Sequence, residues 1–322
     1  MGRLATILCL ALVTAGLPAR AAETLVFAHM YPETSVQQQA LLEAREELAR
    51  RSQHQIELKI IPNGQLGDQD TRLIEAIGAG RADMTFAGAL FAARDYAPIG
   101  LLSAPYNFRD FDHWQHFRDS ALARDLAASY ETASGMVVLG YYYYGTRHLN
   151  APLPLPGIGA LSGLRLRVPN APIMLRLFRE LGANPVPVPI AQTFEALKNG
   201  DVAAEENPLP AIVDFRFNKV APCVMLTGHL IDTTIVIIGA RSLARLSPGH
   251  QALVRDLFDR LSRRLSSRMR ARERDIEMHP GSFGLTLVPV DRDAFRVKAA
   301  PLLTGTAFTW SGDLYQRLQA IP

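Results

Sequence analysis

The residues of this chain best suited to chemistry sit in two segments rich in arginine, asparagine and tyrosine. In 163–169, Leu164, Leu166 and Val168 alternate with Arg165 and Arg167, so a strand buries the aliphatics and turns both arginines to the opposite face. Pro169 cannot donate to a sheet ladder and ends that strand. An arginine at a strand end, facing a cleft, offers a planar fork of N–H donors that matches a carboxylate. Arg147 follows Tyr144-Gly145-Thr146, where a loop would hold it over a cleft. Asn207 lies in Glu205-Glu206-Asn207-Pro208. Pro208 pushes Asn207 out of helical geometry, and its amide both donates and accepts, which suits hydroxyl and carboxylate groups together. The tyrosines 141–144 alternate faces, so half belong to the core and half are free to form a cleft wall that packs on a sugar ring. Each residue also has a plainer reading: an exposed strand arginine, a surface turn, an ordinary Asn-Pro turn.

Motifs for other chemistries are missing. The chain has no phosphate loop, no His-Glu-x-x-His and no Gly-x-Ser-x-Gly elbow. Gly157-Ile-Gly159-Ala-Leu-Ser-Gly163 has one residue too many for a dinucleotide fingerprint and follows Pro-Leu-Pro-Leu-Pro instead of a strand. His29, His148 and His229 are scattered, and no Cys or His cluster has metal-ligand spacing. Neither a metal nor a cofactor is expected. An enzyme would need a nucleophile or an acid–base pair beside the anion site, and the sequence advertises none.

Arg3, the apolar run 4–17 and Ala19-Arg20-Ala21 read as a cleaved secretory signal, with the mature chain starting at Ala22. Of two cysteines, Cys9 lies in that signal, which leaves Cys223 unable to form an intrachain disulfide. The formal charge of +3 falls to +1 once Arg3 and Arg20 are removed, near neutral and a poor match to nucleic acid.

Positioning these side chains requires alternating strands and helices, hence α/β layers with mostly parallel sheets. Strands are predicted over 24–28, 56–61, 83–87, 137–144 and 232–239. Helices are predicted over 37–51 and up to Ile77, with a glycine loop at 63–67. The first lobe crossing falls between the tyrosine strand and the proline-rich connection through Pro156. Ser247 caps a helix with Pro248 at its first position. Leu253, Leu257, Leu261, Leu265 and Met269 then recur every four residues, and the helix reaches Ile276, long enough to strut both lobes. Its arginines, interspersed with Asp256, Asp259, Glu273 and Asp275, read as solvated sides.

The order Leu-Arg-Val-Pro, Glu-Asn-Pro, Gln65-Leu66-Gly67, Gly80-x-x-Asp83-Met84 and Thr227-Gly228-His229 resembles the solute-binding proteins of TRAP transporters, the DctP-type family. The resemblance implies a two-lobed periplasmic binding protein fold with a long helix spanning both lobes. The expected division is a signal at 1–21, one lobe from 22–144 plus 233–272, and the other from 145–232 plus 273–322. It implies that Arg167 is the characteristic ligand-binding arginine and that Arg147 gives a second carboxylate contact, as in sugar-acid members. Asn207, Glu206 and Tyr144 complete the expected ligand-binding set. The implied partner is a two-component TRAP membrane permease, with the chain itself a monomer that captures a sugar acid such as a uronate. A C4-type dicarboxylate or 2-oxo acid is the alternative, ahead of a periplasmic enzyme using the same cleft. The chain departs from the pattern in three places. Val202-Ala-Ala-Glu-Glu-Asn-Pro208 replaces Val-Asp-Gly-Gln-Glu-Asn-Pro, Gly88 stands where sialic-acid binders carry glutamate, and Ile190 replaces a cleft-wall aromatic.

Overall fold

The computed structural model describes residues 22–304 and 310–322, so the signal expected at 1–21 lies outside the described residues. Nine strands occur among them: β1 Glu23–Ala28, β2 Ile56–Ile61, β3 Met84–Gly88, β4 Met136–Ala151, β5 Arg165–Val168, β6 Asn184–Pro187, β7 Glu205–Pro208, β8 Cys223–Gly239 and β9 Thr286–Val288. The main sheet runs β2-β1-β3-β8-β4-β7, with β9 paired to β8. β1, β2 and β3 are parallel, whereas β8 runs antiparallel to both β3 and β4. β5 and β6 form a separate parallel pair, joined to the segment before β7 through the Leu166–Ala204 bridge.

Two strands make the molecule two-lobed and continuous at once. β4 has 16 residues and β8 has 17, which at about 3.3 Å per residue is some 50 Å of chain, enough to cross both lobes. The ends of β4 and β8 nearer Met136 and Gly239 join β1–β3 in one lobe. The ends nearer Ala151 and Cys223 join β7 and β9 in the other. The sequence prediction ended the tyrosine strand at Tyr144 and began the other at Asp232. Both in fact run on, because register shifts at Val138/Gly140, Tyr143/Gly145 and Arg147/Leu149 absorb the irregular pattern without ending the ladder. Arg147 is therefore held on a strand, opposite Leu230 and Pro208, and not in a loop.

Helices cover both faces of this sheet, which explains a second difference. All four tyrosines 141–144 are buried, not half of them. Tyr141 and Tyr143 pack against Phe117, Phe111 and Trp114, while Tyr142 and Tyr144 face Phe86 and Tyr31. The alternation was read correctly; the second covered face was not visible in it.

The long helix is Pro248–Met278, 31 residues, capped by Ser247 Oγ accepting from the His250 N–H. At 1.5 Å per residue it is about 46 Å long. Leu257, Leu261, Leu265 and Met269 are buried. Its arginines are more than solvated sides: Arg260 and Arg268 pair with Glu47 and Glu43 of helix Val36–Arg51, and Arg263 with Asp119. Glu273 is fully buried, accepting from the Tyr143 hydroxyl at 2.6 Å and the Thr146 N–H at 2.7 Å. It thereby clamps the bulge just ahead of Arg147. No described helix is long and apolar enough to cross a membrane.

Candidate functional site in the interlobe cleft

A cleft lies where the lobes meet the crossing strands. One lobe contributes Met30, Tyr31, Gln69, Asp70, Gly88, Leu90 and Phe91. The other contributes Arg167, Pro169, Asn170, Val188, Pro189, Ile190 and Asn207. Tyr144, Arg147, Asp232 and Thr234 come from β4 and β8.

Arg167 is placed by its strand. Its N–H donates to Ala204 O at 2.8 Å and its Nε to Val188 O at 2.9 Å. Leu166 and Val168 point into the core, while Arg165, although two residues away on the same face, is exposed. Arg167 is only 2 % exposed, and its Nη1 has no hydrogen-bond partner. Its nearest carboxylate, Glu205 Oε2, is 3.6 Å away, too far for a hydrogen bond. Burial pulls the Arg167 guanidinium below its ordinary pKa, against the opposing fields of Glu205 and Glu206.

Arg147 is in the opposite condition. Nε and Nη2 form a fork on Glu206 at 2.6 and 2.7 Å, Nη1 donates to Asp232 Oδ2 at 2.6 Å, and Nη2 also reaches Asn207 Oδ1 at 3.2 Å. Burial works against its charge, but Glu206 and Asp232 outweigh it and hold its pKa above normal. Glu206, expected as a ligand contact, does not line the cavity. It is buried behind Arg147, accepts from His229 Nε2 at 3.1 Å, and His229 in turn meets Thr227 through Nδ1 at 2.9 Å. Its fork geometry on Arg147 turns it away from the cleft, so it positions Arg147. Asn207 bridges Arg147 and Glu205: its Oδ1 accepts from Arg147 Nη2, and its Nδ2 donates to Glu205 Oε2 at 2.6 Å. Tyr144 lines the cavity wall beside Tyr31, with ring centroids 5.8 Å apart.

Sequence reasoning missed two acids. Asp70, at the start of helix Asp70–Gly78, is buried and accepts the Gly88 N–H at 2.8 Å. Burial pushes its pKa up to about 7, Asp232 adding to the rise and the Gly88 bond opposing it. Asp232 has its Oδ1 unpartnered, and burial raises it against the pull of Arg147. The signal for Asp70 was its place in the first turn of an apolar helix, where an acid is equally well explained by the helix dipole. A Cβ on Gly88 would meet Asp70 Oδ2 at 3.2 Å, so Asp70 occupies the space that a side chain at 88 would need.

Two α/β lobes around a polar cleft with a buried, underpaired arginine define the class of bacterial solute-binding proteins. The model of the DctP family, described as bacterial extracellular solute-binding protein, family 7, matches residues 27–308, and the chain belongs to that family. It is 32 % identical over 236 residues to the 2,3-diketo-L-gulonate-binding periplasmic protein YiaO of Escherichia coli K12, covering 73 % of this chain and 71 % of the relative. It is 27 % identical over 262 residues to the sialic acid-binding periplasmic protein SiaP of Vibrio cholerae, covering 79 % of each. Among solved structures, a TRAP periplasmic solute-binding protein of Xanthobacter autotrophicus Py2 with bound β-D-galacturonate superposes with a TM-score of 0.87. It is 23 % identical and covers 92 % of this chain and all of that one. Proteins of this family bind small organic acids for transport and work with a membrane permease.

Proposed function

We propose that the cleft captures a monocarboxylated sugar acid, with hexuronates first, and delivers it to a TRAP-type permease without chemical turnover. The observation that carries this reading is the buried, unpartnered Nη1 of Arg167 beside Asn207. It supports one carboxylate at one end of the cavity. Arg147, already forked onto Glu206 and bound to Asp232, has little capacity left for a second. At the far side, Asp70 and Asp232 offer oxygens that accept hydrogen bonds from hydroxyls, and Asp232, paired with Arg147, repels another carboxylate, which favours a polyol over a dicarboxylate. Tyr31 and Tyr144 supply faces for a sugar ring. The ligands of the relatives, diketogulonate, sialic acid and galacturonate, agree with a sugar acid. Residues 1–21 supply the export signal to the periplasm, and the chain acts there as a monomer.

A thermal-shift panel at pH 6 tests the reading: D-galacturonate, D-glucuronate, L-gulonate, succinate and 2-oxoglutarate. Binding at about a hundred times Kd adds about 2.7 kcal/mol, a shift of several degrees. Hexuronates and aldonates should raise Tm and be recovered unaltered. A rise with succinate or 2-oxoglutarate alone would reject the sugar-acid reading, and conversion of the ligand would reject the binding-protein reading.

A further inference from the structure

Glu205 is fully buried on β7, one strand away from Arg167. The two are locked together by the Leu166–Ala204 bridge and by reciprocal bonds, Arg167 N–H to Ala204 O and Ala203 N–H to Arg165 O, both 2.8 Å. Its Oε2 takes the Asn207 Nδ2 donor at 2.6 Å and stands 3.6 Å from Arg167 Nη1, while Oε1 has no partner. Glu205 therefore occupies the Asn207 donor and stands within ion-pair distance of Arg167, the two groups that an incoming carboxylate needs. We propose that Glu205 is an internal competitor for Arg167 and Asn207, so that capture of an anion is coupled to uptake of one proton by its side chain. The inference rests on the reading of the cleft as an acid-binding site.

The surrounding charges leave one cation for two carboxylates. Arg147, facing Glu205 from β4, is matched by Glu206 and Asp232. Glu206 faces it from its own strand and adds repulsion, and the neutral His229 backs Glu206. Asp70 and Asp232 look into the same cavity and add no positive charge. Arg167, from β5, is what remains. An ionised ligand and an ionised Glu205 around one buried guanidinium repel each other, and protonating Glu205 removes the conflict. The proton comes from solvent, converting carboxylate to carboxylic acid, whose O–H can then donate where Oε1 now has no partner. Burial already pushes Glu205 up to about 8, with Arg167 opposing and Glu206 reinforcing the rise. A ligand that takes the Arg167 charge withdraws that opposition. Below about pH 7 the free protein already holds the proton and binding needs none. Above its free pKa, affinity falls with rising pH by up to about tenfold per unit.

Calorimetry of D-galacturonate, in paired buffers of different ionisation enthalpy from pH 6 to 9, reads the protons directly. Wild type should take up most of a proton at pH 8.5, about three quarters for a free pKa of about 8, and far less at pH 6. Glu205→Gln should lose that uptake and bind at pH 8.5 at least as tightly as wild type, whereas Asp70→Asn should retain the uptake. Binding with no uptake in wild type, or with unchanged uptake in Glu205→Gln, overturns the coupling and leaves the acid-binding reading intact. If D-galacturonate gives no heat at pH 6, the hexuronate reading fails, and the same titration is run with whichever panel acid raises Tm. An independent arm needs no ligand. In the free protein, the 13C carboxyl signal missing from Glu205→Gln should titrate near or above neutrality, and titration in the ordinary carboxylate range overturns the proposal.

Discussion

At the scale of single residues, the cleft is organised by an imbalance between its two arginines. Arg147 has two carboxylates; Arg167 has one, at 3.6 Å, and an idle nitrogen. Arg167 and Asn207 could be singled out because Leu-Arg-Val-Pro and Glu-Asn-Pro match the family's motifs, and the structure places both at the cleft. Asp70 and Asp232 were not, because an acid in the first turn of a helix and an acid inside an apolar strand carry no spacing signal until folding brings them to one cavity. Asp70 has a measurable consequence. Its folded pKa of about 7 lies above the ordinary 3.8, so the native state binds more protons between those values. Its contribution is fully present at low pH and is lost as pH rises through about 4 to 7, at up to about 1.4 kcal/mol per unit. Asp70→Asn should remove that part of the slope and raise Tm by a few degrees at pH 8 relative to wild type, with little gain at pH 4. Circular-dichroism melts across that range check it, and an equal slope in both proteins would show that Asp70 ionises normally.

At the scale of elements, β4 and β8 do the positioning. Three register shifts let β4 follow β8 while remaining paired, and the second is anchored by Gly145, at φ +136°, where a Cβ would come within 2.6 Å of Pro208 Cβ. Pro208 follows Asn207, and Arg147 lies two residues beyond Gly145, so this close approach fixes both ligand-side strands together. Gly145→Ala should cost about 1–3 kcal/mol from backbone strain, with further loss from the clash, and should weaken ligand binding as well. Gly78→Ala, where a Cβ meets nothing within 4 Å, serves as the control and should leave both within error. If Gly145→Ala melts like wild type, the bulge is not what holds the strands. The long helix and its Ser247 cap were readable from a four-residue repeat. The full reach of the crossing strands was not, since the bulges interrupt the two-residue period on which strand reading depends.

At the scale of the molecule, the cleft exists because the chain crosses between lobes by continuous elements and not by linkers. Each lobe alone presents an incomplete site. Arg167 and Asn207 belong to one, Asp70 and Tyr31 to the other, and Arg147, Tyr144 and Asp232 to the strands between. The two-lobed architecture was legible in the alternation of strands and helices together with the family motifs. The pairing of charges across the cleft was legible in neither, because it depends on which side chains meet at distances of 3–4 Å. The central claim is that one buried arginine provides the carboxylate site. A charge-assisted bond is worth about 1.5–3 kcal/mol, so its removal predicts a tenfold to hundredfold loss or more. An ammonium at the same place lacks the planar fork. Calorimetric titration of D-galacturonate at pH 6 into wild type, Arg167→Ala and Arg167→Lys is the decisive measurement. The account predicts stoichiometric binding to wild type, at least about tenfold weaker binding to Arg167→Ala, and no recovery in Arg167→Lys; wild-type affinity in either variant would contradict it.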